Sequence, residues 1–167
     1  MFTVEQLVAF YKLEPHPEGG FYKETYRSKE TIEQAGLPQR FSGDRSFSTA
    51  IYFLLPAGHF SAFHRIQSDE LWHFYAGEPL HIYVINEQGK SSIITLGADI
   101  LKGETMQAVV VAGCWFASRP VNNTGYSFVG CTVSPGFDFA DFELAKTSEL
   151  MQLYPQHGEL IQSLCRQ

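Results

Sequence analysis

His64 and Glu70 are the residues whose types and spacing could do chemistry on a small molecule. An imidazole titrates near neutral pH, so it can take or give a proton, and a nearby carboxylate can hold its tautomer. Both lie in the run Gly58-His59-Phe60-Ser61-Ala62-Phe63-His64-Arg65-Ile66-Gln67-Ser68-Asp69-Glu70, which continues through Trp72 and His73 to Gly77. Residues two apart on a strand share a face, so His64 goes with Ile66, and Glu70 with Trp72 and Phe74, while His73 points away. A first-row metal centre wants at least three N, O or S ligands. His64 and Glu70 offer two, and Gln107 is the remaining protein candidate, so no firm cofactor emerges and a weakly held divalent metal is the most this set suggests.

Further candidates for ligand contact are Glu18, Tyr26, Tyr52, His73, Gln107 and Trp115. Glu18, with His16, lies on a Pro- and Gly-rich segment that could cover the mouth of a barrel. Tyr52 and Trp115 serve equally well as core aromatics, and His73 as a structural histidine bonded to a neighbouring strand. His59 reads as a solvated turn residue. If His64 is a ring in a wet pocket, His64→Ala should cost under ~1–2 kcal/mol, since no close-packed apolar volume is lost.

These side chains need a scaffold of short strands. Strand patterns run over residues 19–27, 48–55, 62–66, 70–76, 80–85, 91–96, 105–112, 115–118 and 126–133, separated by Gly, Pro and Asn turns. A short amphipathic helix over 3–12 precedes them, with Thr3 and Gln6 at capping-box spacing and Pro15 and Pro17 ending it. Residues 29–45 are polar and read as a long excursion or flap. From Glu143 onward the pattern is helical, broken by Pro155 and Gly158. One domain over 1–167, with a barrel core from about 19 to 143, accounts for the whole chain.

The formal charge of −6 and only 12 Lys and Arg argue against nucleic acid, which demands clustered cations. No apolar run is long enough to span a membrane. Three cysteines, Cys114, Cys131 and Cys165, form no CxxC pair, so a reducing cytoplasm is expected, and Cys114 and Cys131, in apolar runs, read as buried inert thiols. Aromatic residues at 14% suit both a β-rich core and a lined cavity.

The spacing resembles the cupin pattern G-x5-H-x-H-x3-E-x6-G, met by Gly58, His64, Glu70 and Gly77, with Ile66 where a second histidine stands. In the second cupin motif Gly103 and Gly113 match, while Val111 replaces the proline and Phe116 the last histidine. Three blocks are similar to the Cupin_5 family: residues 13–28, with Pro15-His16-Pro17-Glu18-Gly19-Gly20; residues 68–77; and residues 130–144, with Ser134-Pro135-Gly136-Phe137-Asp138-Phe139. The resemblance implies an all-β, RmlC-like cupin jelly-roll barrel with a short N-terminal helix and a C-terminal helical tail. It also implies a homodimer, for which the strand from Phe21 to Tyr26 is the expected contact, and it brings no substrate.

Three readings stand at this level. One is a metal-independent epimerase or isomerase acting on a sugar-like or carbonyl ligand through His64 and Glu70. Residues 20–26 and Ser61-Ala62-Phe63-His64 faintly resemble dTDP-4-dehydrorhamnose 3,5-epimerases, whose fold-level likeness does not fix function. The second is a non-catalytic metabolite-binding module. The third is a metal-dependent dioxygenase or isomerase with a non-standard set drawn from His64, Glu70 and Gln107.

Overall fold

The computed structural model describes residues 2–166. Helix α1 (Val4–Tyr11) opens the chain. Thr3 accepts from the Gln6 N–H at 3.2 Å while the Gln6 side chain accepts from the Thr3 N–H at 2.9 Å, so two otherwise orphaned amides are satisfied. The strands are β1 (Glu14–Pro15), β2 (Phe21–Arg27), β3 (Thr31–Ile32), β4 (Arg45–Ser46), β5 (Thr49–Pro56), β6 (Ser61–Arg65) and β7 (Asp69–Gly77). They continue as β8 (Leu80–Ile85), β9 (Ser91–Leu96), β10 (Gln107–Val110), β11 (Trp115–Pro120), β12 (Tyr126–Ser134) and β13 (Glu143–Leu144). Helices α2 (Thr147–Leu153) and α3 (Gly158–Leu164) complete the described chain. Every strand expected from the alternation is present, with ends displaced by about two residues or fewer.

Two antiparallel sheets make the jelly roll, in the orders β1-β2-β5-β12-β7-β10 and β13-β6-β11-β8-β9. Between them Phe53, Leu55, Trp72, Ile82, Phe116 and Val129 form the barrel core. The opposite faces of the same strands are buried by helices. Leu54 and Phe128 pack under α1, and Phe63, Tyr83 and Trp115 pack under α2 and α3. A strand buried on both faces explains why several of these segments read as continuous apolar runs.

The structure corrects two local expectations. Glu143 and Leu144 extend the second sheet, opposite Arg65 and His64, rather than starting the helical tail. Gly158 begins α3 in right-handed helical geometry instead of breaking it. The excursion over 29–45 is tied down: β3 pairs with β4, Phe41 is buried, and Arg45 grips Asp141 with bonds of 2.7 and 2.6 Å. No helix among the described residues is long and apolar enough to cross a membrane.

Candidate functional site

One cavity of about 300 Å³ opens between the sheets at the end where β2, β6, β7 and β12 converge. Its size is at the lower end of the ~300–1,000 Å³ usual for small-molecule sites. His64 and Glu70 both face it, and so does Glu18 from the segment between β1 and β2.

His64 sits on β6 and is 3% exposed. Its Nδ1 lies 2.8 Å from the Ala62 carbonyl, which can only accept, so that nitrogen carries a hydrogen. Nε2 lies 2.9 Å from Glu18 Oε2. Burial pushes the imidazole down, but the Glu18 carboxylate outweighs it and holds His64 above the ordinary histidine value. For Glu18 burial pushes upward, and the His64 charge reverses this to leave it below the ordinary carboxylate value. The two form a buried ion pair in which both imidazole nitrogens are engaged. His16 stands on the other side of Glu18. Its Nδ1 accepts the Glu18 backbone N–H at 3.3 Å, and burial holds it below the usual histidine range, so it is neutral.

Glu70 has a different environment. It is 8% exposed and makes no ion pair within 4.0 Å among the described residues. Burial, opposed by the His64 charge and reinforced by the Glu18 charge, pushes it up to about 7. The buried Cys131 thiol beside it is pushed well above its usual value, first by burial and then by Glu70. Two carboxyls on one cavity are thus driven apart in acidity, the pattern that separates acid from base.

The mouth is built by β2 and by the strap after β12. A bulge in β2 at Thr25 breaks its alternation, so Tyr22, Glu24 and Arg27 face the cavity. Arg27 grips the Glu24 carboxylate with Nε at 3.1 Å and Nη2 at 2.7 Å, and donates Nη1 to the Phe137 carbonyl at 3.1 Å. Phe137, Phe139 and Phe142 line the opposite rim. The strap is fixed by the Phe137 N–H on Thr49 Oγ1 at 2.9 Å and by the Arg45–Asp141 pair.

Several residues singled out from the sequence are placed elsewhere. Tyr26 is 54% exposed, because the bulge gives Arg27 the inward position that strict alternation would assign to it. Tyr52 faces outward from β5, 4.7 Å from Tyr11 of α1. Trp115 lies on the outer face of the second sheet beneath the C-terminal helices, with the Arg65 guanidinium 4.6 Å from its ring. His73 and Gln107 meet on the outer face of the first sheet, where Gln107 donates to His73 Nδ1 at 3.0 Å and His73 Nε2 bonds Thr132 Oγ1 at 3.0 Å. Gln107 therefore cannot join His64 and Glu70 in one ligand set.

Sequence reasoning missed Tyr22, Glu24, Arg27, Cys131 and the three strap phenylalanines. The run Phe137-Asp138-Phe139 after Ser134-Pro135-Gly136 signals a turn, but nothing in it tells which ring faces inward. Ser61 and Ser118, paired across β6 and β11 beside a register shift, are fully buried; the Ser118 hydroxyl lacks a partner, while the Ser61 hydroxyl helps hold Glu18 below the ordinary carboxylate value.

The Cupin_5 family model, described as Cupin superfamily (DUF985), matches residues 5–145. The uncharacterized protein YML079W of Saccharomyces cerevisiae is 31% identical over 153 residues, covering 86% of this chain and 76% of that protein. The crystal structure of protein SO0799 from Shewanella oneidensis is 42% identical, with TM-score 0.90 and 99% of both chains covered. A hypothetical protein from Leishmania major is 36% identical, with TM-score 0.89, covering 99% of this chain and 100% of that one. Oxalate decarboxylase from Bacillus subtilis, at 13% identity and TM-score 0.55 over 90% of this chain and 36% of that one, shares the fold alone.

Proposed function

The chain belongs to the Cupin_5 family, and from that premise we propose that its barrel binds a small uncharged carbonyl or sugar-like molecule and moves a proton on it without a metal. The observation that carries this reading is the arrangement around one cavity of the Glu18–His64 pair and the unpaired carboxyl of Glu70. In the proposed step the Glu18 carboxylate, whose Oε2 is held by the protonated His64, takes on Oε1 a proton from the carbon next to the ligand carbonyl. The Glu70 carboxylic acid gives its proton to the carbonyl oxygen as the π electrons move there, leaving a neutral enol. Glu18 then returns its proton, to the same carbon once the enol has turned over or to the neighbouring carbon, while the Glu70 carboxylate takes one back from an enol hydroxyl, giving an epimer or an isomer with both carboxyls restored. No oxidant or co-reactant enters.

The donor set does not fit the metal found in other cupins. Phe116, in the place of one ligand, has its ring centroid 4.0 Å from that of His64, and Ile66 holds the place of another. His64 Nε2 is committed to Glu18, and no three His, Cys, Asp or Glu side chains cluster as a metal shell among the described residues.

The charges on the cavity pair within the protein, Glu18 with His64 and Glu24 with Arg27, so among the described residues no free cation on the cavity awaits a carboxylate or phosphate. This favours an uncharged ligand and separates the site from one for a sugar diphosphate, although the likeness of residues 20–26 and 61–64 to dTDP-4-dehydrorhamnose 3,5-epimerases supports proton-transfer chemistry. The apolar rim supports a second reading, capture of a metabolite without turnover.

The test is solvent exchange. Incubation in D2O with a panel of aldoses, ketoses and small cyclic ketones, followed by proton NMR, should show deuterium entering the carbon beside one carbonyl, and Glu70→Gln should abolish it. Binding without exchange favours the capture reading. Elemental analysis after dialysis should find well under one equivalent of divalent metal, and a stoichiometric ion held by His64 and Glu70 would overturn the metal-free step.

A further inference from the structure

Glu18 is held from outside the barrel by the far end of the chain. Its carbonyl accepts the Ala62 N–H at 2.9 Å and also the Arg166 guanidinium, from Nε at 3.3 Å and Nη2 at 3.1 Å. The same guanidinium lies 5.1 Å from the Phe60 ring centroid and reaches the Phe60 carbonyl at 3.5 Å. Close approach is possible because the next residue is Gly19, whose φ is +120°, and a Cβ there would run into both the Phe60 carbonyl and Arg166. The tail that delivers Arg166 is anchored by Ile161, Leu164 and Cys165, all buried against the second sheet. The Glu18 N–H is meanwhile given to His16, so both backbone polar groups of this residue are committed.

We propose that Arg166 is a positioning residue that fixes the backbone of Glu18 and so sets its carboxylate against His64. The inference rests on reading the Glu18–His64 pair as the working part of the cavity. Its physical content is geometric. A guanidinium offers two donors in a rigid plane to one carbonyl, which the point charge of an ammonium does not reproduce. Without it the glycine turn retains a single anchoring bond on the Glu18 carbonyl. The carboxylate that holds His64 protonated would then sample other positions.

The experiment follows the His64 imidazole by NMR across pH in protein with isotope-labelled histidine, for the wild type, Arg166→Ala and Arg166→Lys, with chemical denaturation to confirm folding. His64 faces Glu18, His16 and Glu70, and the Glu18 charge is the largest influence raising it. In Arg166→Ala its titration midpoint should therefore move to lower pH. Arg166→Lys should move it in the same direction, since charge without the planar fork does not restore the hold.

A folded Arg166→Ala with an unmoved midpoint would overturn the proposal. So would Arg166→Lys matching the wild type, because charge rather than geometry would then be responsible. Should Arg166→Ala fail to fold, Arg166→Lys decides on the same criterion. The readout is protonation rather than turnover, so a site that catalyses nothing leaves the test intact.

Discussion

Replacing Glu70 by Gln should make the protein more stable at neutral and alkaline pH, by an amount that grows with pH. The carboxyl ionises near 7 in the fold, against an ordinary value of 4.5. Below 4.5 it is protonated in folded and unfolded chains alike, so it has no effect on the balance. Between 4.5 and about 7 the unfolded chain has released this proton while the folded chain keeps it. Stability therefore falls as pH rises through that window and levels off above it. At ~1.36 kcal/mol per pH unit the accumulated penalty approaches 3 kcal/mol.

Gln has the shape of the neutral acid and never ionises, so Glu70→Gln escapes the penalty. Its advantage should be near zero at pH 4.5 and approach ~3 kcal/mol at pH 8. That figure is a ceiling, because Glu70 also helps hold His64 protonated and the variant loses this. Urea denaturation of both proteins at half-unit steps from pH 5 to 8 measures the difference, and titrations common to both cancel to first order. A difference that is flat across this range, or a variant less stable at pH 8, would refute the reasoning.

Other perturbations follow from the same geometry. His64→Ala leaves the buried Glu18 carboxylate without its counter-charge and should cost ~3–5 kcal/mol at pH 7, most of it recovered when Glu18→Gln is added; a loss under ~1 kcal/mol in urea would contradict the ion pair. Gly19→Ala should lower stability by ~1–3 kcal/mol from its backbone conformation alone, and more from the overlap with Phe60, as read from the melting temperature. Ser118→Ala removes a buried hydroxyl that has no partner and should stabilise by up to ~1 kcal/mol. A loss on that substitution would mean the hydroxyl is hydrogen-bonded to trapped water.

Local physics determined the strands. Alternation and turn residues are properties of neighbours in the chain, so the nine expected strands and the Thr3 cap were legible, as were His64 and Glu70 from glycine-bounded spacing. The inward position of Glu18 was open to argument because a Pro- and Gly-rich segment must cross somewhere near the barrel mouth. What His64 is bonded to was not legible. Its partner lies 46 positions away in sequence, and a buried pair changes the expected cost of His64→Ala from a small number to a large one.

Tyr26 and Arg27 exchanged places because one extra residue at Thr25 shifts a period-two pattern, and an alternating sequence accommodates either register. Tyr52 and Trp115 looked like cavity linings because apolar rings suit either face of a strand. Which face meets helix and which meets cavity was decided when α1, α2 and α3 packed against the outside of the sheets. The acidity of Glu70 and the hold of Arg166 on Glu18 arise from desolvation and from contacts across the whole chain length, and those quantities exist only once the barrel has closed.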